Sequence, residues 1–214
     1  MNIDNFKNFI KKLRKKRAAL FFNKIKGKSK HLKILDLGGT INYWEDIGFL
    51  HNDNGLNFEI TLLNLDKVNV KHQNFKSIKG DATNLSNFKD NQFDIVFSNS
   101  LIEHLYTYEN MKLMANETMR VGKKFFVQTP NKYFPIEPHY FFPFFQFMPY
   151  KMKKLLMTKT KLIESKKHDE NSVKRAHYVI RLLSKKELKS LFPSGKIFSE
   201  KLFGLNKSFM ITNL

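Results

Sequence analysis

The sequence contains no cysteine among its 214 residues. This absence excludes disulfide bonds, zinc–thiolate sites, iron–sulfur clusters and any mechanism that depends on a cysteine nucleophile. Apolar runs of the roughly 18–20 residues that span a bilayer are also absent. The basic amino terminus leads into no apolar region with a signal-peptide cleavage site. We therefore expect a cytoplasmic protein.

Acidic residues are scarce, since 19 Asp and Glu stand against 38 Lys and Arg, which gives a net charge of +19. Such an excess favours polyanionic partners, namely nucleic acid, an anionic membrane or a phosphorylated substrate. The second interpretation is compositional, because Lys, Asn, Ile and Phe are abundant together and the lysines are scattered. The sequence alone leaves both interpretations open.

Residues 1–30 contain a basic amphipathic pattern that predicts a helix over residues 3–25. Phe6, Phe9, Ile10 and Leu13 follow the spacing of one helical face. Such a helix either packs on the edge of the domain or lies on an anionic membrane surface. We expect a separate amino-terminal helix here and one further domain over residues 31–214.

Seven apolar runs along residues 31–214 predict strands, most of them separated by helical patterns. This alternation predicts an α/β fold with right-handed crossovers and a doubly wound, mostly parallel sheet. We expect the last two strands to form an antiparallel pair around Gly204. The predicted strands are Leu32–Leu37, Phe58–Leu65, Phe75–Lys79, Phe93–Ser98, Lys124–Thr129, Lys196–Leu202 and Ser208–Thr212.

Three capping patterns predict where helices begin, because a small polar residue and an acid three positions later can satisfy each other's main-chain amides. The pairs are Asn42 with Glu45, Ser100 with Glu103, and Ser184 with Glu187. The Ser100 pair predicts a helix from Leu101 to about Arg120, and the Ser184 pair predicts a helix that ends at Phe192.

The stretch from about 130 to 167 departs from this alternation. It contains five prolines, and seven of the eleven residues from Tyr140 to Tyr150 are aromatic. A basic helix is predicted over Lys151–Lys167. This insertion is interpreted as a flap over the core or an oligomer contact, as an apolar groove for an acceptor, or as a lid that touches a membrane.

Polar residues follow four of the predicted strands. A Gly38-Gly39 turn follows the first strand, and Asp66, Asp81 and Asn99 end the next three. Because the carboxyl ends of parallel strands meet at one edge of a sheet, these residues predict a single nucleotide-type pocket.

These pieces, in their order, resemble class I S-adenosylmethionine-dependent methyltransferases. They are most similar to the bacterial branch that is found with surface-polysaccharide and other small-molecule biosynthesis. The resemblance implies a Rossmann-like seven-stranded sheet, S-adenosylmethionine as the cofactor, and methyl transfer to a small acceptor, with a sugar or glycan oxygen expected. It covers about residues 32–210 and rests on ILDLGGT, NLD, KGDATNL, FDIVFSNSLIEHL, TPNKYFPIEPHYFFPFFQF and the tail LLSKKELKSLFP with EKLFGLNKS.

The resemblance implies that the turn after the first strand faces the methionine end of the cofactor. Gly38, Gly39 and Thr40 would form that turn, because missing side chains permit main-chain contact. Asp36 would help to hold the amino group. The family's D-x-G-x-G-x-G pattern is altered here, since Thr40 and Asn42 occupy two of its glycine positions.

The other strand ends would bind the rest of the cofactor, again by resemblance. Asp66 would accept both ribose hydroxyls, as an acid does in dinucleotide-binding folds. Asp81 and the Ala82 amide would contact the adenine edge. Ser98 and Asn99 would close the pocket beside the reacting methyl group.

An alcohol acceptor benefits from a general base, commonly histidine. His104, close behind the fourth strand, and His139, in the proline-rich insertion, are the candidates. The alternative interpretation of His104 is a packed or solvent-exposed histidine near a helix start.

Three other functions compete with small-molecule methylation. The charge favours a tRNA or rRNA methyltransferase, although the sequence has no N-P-P-[YF] motif and no recognisable RNA-binding module. A non-catalytic S-adenosylmethionine-binding protein would fit the altered turn. A Rossmann dehydrogenase is disfavoured because G-x-G-x-x-G spacing is absent after the first strand. The sequence leaves the oligomeric state open.

Overall fold

The structure is a computed structural model that describes residues 3–26, 31–49, 57–137, 140, 142–159 and 180–214. The α-helices are α1 (Ile3–Ile25), α2 (Ile41–Asp46), α3 (Tyr108–Val121), α4 (Tyr150–Lys159) and α5 (Lys185–Leu191), with 3-10 turns at Ile102–His104 and Phe145–Phe147. The strands are β1 (His31–Leu37), β2 (Asn57–Asn64), β3 (Phe75–Lys79), β4 (Phe93–Asn99), β5 (Gly122–Pro130), β6 (Lys196–Leu202) and β7 (Leu205–Thr212).

The strands form one seven-stranded sheet in the order β3-β2-β1-β4-β5-β7-β6. Strand β1 pairs in parallel with β2 and β4, and β2 pairs in parallel with β3. Leu37 is in register with both Leu63 and Ser98, so these strands end at the same level. The mostly parallel α/β sheet with an antiparallel carboxyl-terminal pair confirms the predicted fold. Phe203 and Gly204 both have positive φ, which suits the tight turn between β6 and β7.

The chain divides into two compact units. The first comprises Met1–Asn99, Glu117–Val127 and Thr212–Leu214, and the second comprises Ser100–Asn116 and Gln128–Ile211. Strands β1 to β4 belong to the first unit, and the insertion belongs to the second.

An aromatic cluster forms the core of the first unit and includes α1. The Phe21 ring of α1 is fully buried, with its centroid 5.1 Å from that of Phe97 and 5.3 Å from that of Phe126. Lys11 of the same helix forms an ion pair with Asp46 at 3.0 Å. The described side chains of α1 therefore pack the helix against the rest of the first unit.

The helix predicted from Leu101 to about Arg120 is wrong over Leu101–Thr107. Ser100 has a φ of 57°, and α3 begins only at Tyr108. The Ser100 hydroxyl donates to Gln128 Oε1 at 2.9 Å, and the Thr129 hydroxyl donates to Glu103 Oε2 at 3.0 Å. Because both side chains bond to residues distant in sequence, they do not form the predicted capping box.

The other two capping patterns have opposite outcomes. Asn42 was predicted to cap α2, but the helix begins at Ile41 with Thr40 at the N-cap position and no side-chain capping bond. At Ser184 the complete capping box forms with Glu187, as predicted.

Candidate functional site

The carboxyl ends of β1, β2 and β3 are tied together in one row in the first unit. The Gly38 amide donates to the Leu63 carbonyl at 2.8 Å, and the Gly80 amide donates to the Asn64 carbonyl at 2.9 Å. The Asn64 side-chain amide also donates to the Gly39 carbonyl at 2.9 Å. The glycine turn and the ends of the next two strands therefore share one edge of the sheet.

Both glycines of the turn are required by their surroundings. Gly38 has a φ of 74°, in the left-handed region that favours glycine. A Cβ atom on Gly39 would lie 1.7 Å from Asp36 Oδ2, so a side chain cannot be placed there without moving Asp36. The turn is thus free of side chains for two successive residues.

Asp36 lies beneath this turn and is 1% exposed. The Trp44 indole Nε1 of α2 donates to Asp36 Oδ2 at 2.7 Å. Burial raises the pKa of Asp36 to about 8, and the Trp44 hydrogen bond offsets only part of that rise. Within the described part of the chain, the other oxygen, Oδ1, has no hydrogen-bond partner. One buried polar atom therefore remains available beside the glycine turn.

Asp66 and Asp81 stand at the open ends of β2 and β3. The Asp66 side chain is 91% exposed, with Lys79 Nζ 3.4 Å from its Oδ1. Asp81 is also exposed, and its Oδ1 accepts from the Thr83 amide and hydroxyl, each at 2.8 Å. Ala82 beside it is buried. The Asp66 carboxylate is thus open to solvent, whereas the Asp81 carboxylate also caps its own turn.

The remaining residues predicted for the cofactor lie at the same edge. Ser98 is fully buried, and its hydroxyl donates to the Leu37 carbonyl at 3.3 Å. Asn99 ends β4 and is half-buried, while Thr40 is exposed just before α2. The structure therefore brings together the whole predicted set, which comprises Asp36, Gly38, Gly39, Thr40, Asp66, Asp81, Ala82, Ser98 and Asn99.

The predicted bases lie outside this set. His104 ends the 3-10 turn of the second unit and is half-buried. Its neighbour Glu103 is buried and accepts from the Thr129 hydroxyl. His139 lies outside the described residues. The catalytic roles of both histidines stay predictions.

Sequence reasoning missed two residues that shape the turn, Asn64 and Trp44. Trp44 is the only tryptophan of the chain, and a buried indole N–H usually finds an acceptor, which here is Asp36. Nothing in the local pattern around Asn64 indicates that its side chain reaches the Gly39 carbonyl.

Solved structures share this fold over nearly the whole chain. One is an S-adenosylmethionine-dependent methyltransferase from Archaeoglobus fulgidus, 14% identical, with a TM-score of 0.56 over 94% of this chain and 93% of that one. Another is magnesium protoporphyrin IX methyltransferase from Synechocystis, 7% identical, with a TM-score of 0.58 over 99% of this chain and 87% of that one. At such identities the likeness establishes the class I methyltransferase fold.

A match at the sequence level is more specific. Residues 38–125, less than half of the chain, match the methyltransferase domain family. They run from the glycine turn through the ends of β2, β3 and β4. No curated protein matches the sequence. The matched domain and this fold together support S-adenosylmethionine-dependent methyltransferase activity with S-adenosylmethionine as the cofactor, in agreement with the prediction.

Proposed function

We propose that this methyltransferase is a cytoplasmic enzyme that methylates a hydroxyl oxygen of a sugar or glycan precursor. The acceptor is supported by the motif resemblance to the surface-polysaccharide branch. The observation that carries the donor half of the proposal is the single sheet edge shared by the glycine turn and the ends of β2 and β3.

The residues at this edge fit S-adenosylmethionine, which supplies an electrophilic methyl group on a sulfonium. The turn at Gly38 and Gly39 would take the methionine end, since main-chain atoms there are not covered by side chains. The unpartnered Asp36 Oδ1 supports a hydrogen-bonding role beneath it. Exposed Asp66 would accept the ribose hydroxyls, and Asp81 with Ala82 would contact adenine.

The protein's own contribution to the reaction is to hold the acceptor in line with the methyl group and to keep water out. A hydroxyl acceptor also requires that its proton be removed as the new bond forms. We assign this role to His104 or His139, since a positioned histidine contributes typically 10²–10⁴-fold.

A second candidate acceptor is RNA, and the net charge of +19 favours it. Contacts between lysines and phosphates would supply affinity without sequence specificity, and that affinity would fall steeply with salt. Small-molecule acceptors remain preferred, because the motifs resemble a small-molecule branch.

The test is a transfer assay with methyl-labelled S-adenosylmethionine, in which the full chain meets a panel of sugar nucleotides and total RNA side by side. We expect label in a sugar nucleotide, stable to alkali as an ether. Label confined to RNA would establish the second candidate. Binding of S-adenosylmethionine without transfer to any acceptor, in the presence of an active control methyltransferase, would contradict the glycan proposal.

A further inference from the structure

The proline-rich insertion contains a hairpin-like segment, defined here by residues 132–137 and 142–147 and called the aromatic hairpin. The Phe144 amide donates to the Pro135 carbonyl at 2.7 Å, and the Glu137 amide donates to the Phe142 carbonyl at 3.1 Å. Gln146 Nε2 bridges the carbonyls of Lys132 and Phe134. Main-chain and side-chain bonds therefore fix the two arms against each other.

The aromatic hairpin displays apolar side chains on its outside. Phe145 is 1% exposed and packs inward with Met157, but its neighbours Phe144 and Phe147 are 57% and 49% exposed. On the other arm Tyr133 is 63% exposed, and its ring stacks on Phe147 with centroids 6.2 Å apart. Ile136 is exposed as well. Rings presented to solvent in a fixed arrangement form a surface that is ready to bind.

Phe144 is held in a conformation that its residue type disfavours. Its φ is 56° and its ψ is 16°, in the left-handed region, where a bulky non-glycine residue is an outlier. Such strain persists where the surroundings over-determine it, and it concentrates at functional sites. The fold thus places an aromatic ring outward where glycine would be more stable.

The charges beside these rings have one sign. Between residues 132 and 159 the chain contains five lysines and a single acid, Glu137. Glu137 and Lys153 are buried, which leaves four lysines toward solvent. Lys132 Nζ lies 5.9 Å from the Tyr133 ring centroid. Helix α4 adds exposed Met152 and Leu155 among its lysines. The solvent-facing part of this segment is therefore apolar and cationic.

We propose that the aromatic hairpin and α4 form a surface that docks on an anionic phospholipid bilayer. Aromatic and aliphatic side chains would enter the headgroup region, and lysines would contact anionic headgroups. Nucleic-acid bases bind by stacking on aromatic rings, and aliphatic side chains offer them no such surface. The aliphatic members of this surface, Ile136, Met152 and Leu155, therefore favour a bilayer over nucleic acid. Contact would be with the surface, since no helix in the described ranges is long and apolar enough to cross a bilayer.

The test is co-sedimentation of the full chain with vesicles of phosphatidylglycerol and phosphatidylcholine, against vesicles of phosphatidylcholine alone. Wild-type protein should partition to the anionic vesicles, less so at high salt. Phe144→Gly removes the ring and relieves the backbone strain, so it should fold at least as stably as wild type. Its partition to anionic vesicles should fall about tenfold.

The matched control is Phe203→Gly. Phe203 is also exposed, at 91%, and also has a positive φ, but it lies in the turn between β6 and β7. This variant should bind vesicles as wild type does. Absence of wild-type binding to anionic vesicles would overturn the proposal. So would equal binding by wild type and Phe144→Gly, or loss of binding in Phe203→Gly alone.

Discussion

Two aspartates at the edge of the sheet, Asp36 and Asp66, occupy opposite surroundings. Asp36 is 1% exposed and accepts from Trp44, whereas the Asp66 side chain is 91% exposed. Burial raises the pKa of Asp36 to about 8, so at neutral pH most molecules carry it as a neutral acid.

The two surroundings suit different main roles. Asp36 mainly shapes the glycine turn above it, whereas the Asp66 carboxylate is open to a ligand. The Asp36 carboxyl fills the space that a side chain at position 39 would need, so it restricts that position to glycine. Within the described residues Asp66 forms one ion pair, with the Lys79 ammonium, and its exposed oxygens are open to a bound molecule. Substitutions at the two places should therefore have separable effects on stability and on cofactor affinity.

The largest effect on stability is expected from Gly39→Ala. Its Cβ would lie 1.7 Å from Asp36 Oδ2, so the buried carboxyl must move and lose its bond to Trp44. Overpacking together with a broken buried hydrogen bond costs about 3 kcal/mol. Urea denaturation measures this loss in the free energy of unfolding.

Gly48→Ala is the control for that substitution. Unlike Gly39, Gly48 has a positive φ, 80°, but no atom lies within 4 Å of its ideal Cβ position. The left-handed backbone alone should cost about 1–2 kcal/mol. If both variants lost the same stability, steric conflict with Asp36 would not be the reason that position 39 is glycine.

Trp44→Phe should have the next largest effect. It keeps a ring in the aromatic core, where the Trp44 and Phe97 centroids are 5.0 Å apart, but it removes the one donor that Asp36 has within the described part of the chain. Leaving that buried carboxyl oxygen without a partner costs about 2 kcal/mol. The thermal midpoint should fall accordingly. An unchanged midpoint would show that the hydrogen bond contributes nothing net.

The sequence was sufficient to predict the strands that form the site. Their apolar runs are followed closely by polar residues such as Asp66 and Asp81. The local sequence pattern was therefore enough to predict both where the strands end and that their ends share one edge of the sheet. The contacts beneath the turn could not be predicted. Trp44 and Asn64 act through bonds to Asp36 and Gly39 that exist only once α2 and β2 pack beside β1.

The two S-x-x-E patterns show why local reasoning fails in one place and succeeds in another. At Ser184 the box forms, and Arg181 supports it with an ion pair to Glu187 at 2.8 Å. At Ser100 the side chain bonds instead to Gln128. The sequence pattern is the same at both places, but at Ser100 residues distant in sequence offer hydrogen-bond partners. These tertiary contacts override a capping preference of about 1 kcal/mol.

Asp36→Asn should change how stability depends on pH. The folded-state pKa of Asp36 is about 8, well above the ordinary value near 4, so between these values the folded state binds a proton that the unfolded state releases. Its contribution to stability is therefore complete below about pH 4 and is lost as the pH rises toward about 8. Because the linkage slope is about 1.4 kcal/mol per pH unit over most of this window, the difference in the free energy of unfolding between wild type and Asp36→Asn should fall by about 3 kcal/mol from about pH 5 to about pH 8. A constant difference would show that Asp36 is ionised throughout.

Asp66→Ala should have the smallest effect on stability and a clear effect on binding. Because the side chain is exposed and its ion pair with Lys79 is long, at 3.4 Å, the free energy of unfolding should change by less than about 0.5 kcal/mol. Removal of a charged acceptor from the ribose hydroxyls should weaken S-adenosylmethionine binding about tenfold or more, as measured by calorimetry. Asp90→Ala, at an exposed aspartate paired with Arg120 in the same unit, is the control and should leave that affinity unchanged. If Asp66→Ala bound the cofactor as wild type does, the exposed acid would have no part in the site, and Asp66 would not differ from Asp36 in the way proposed above.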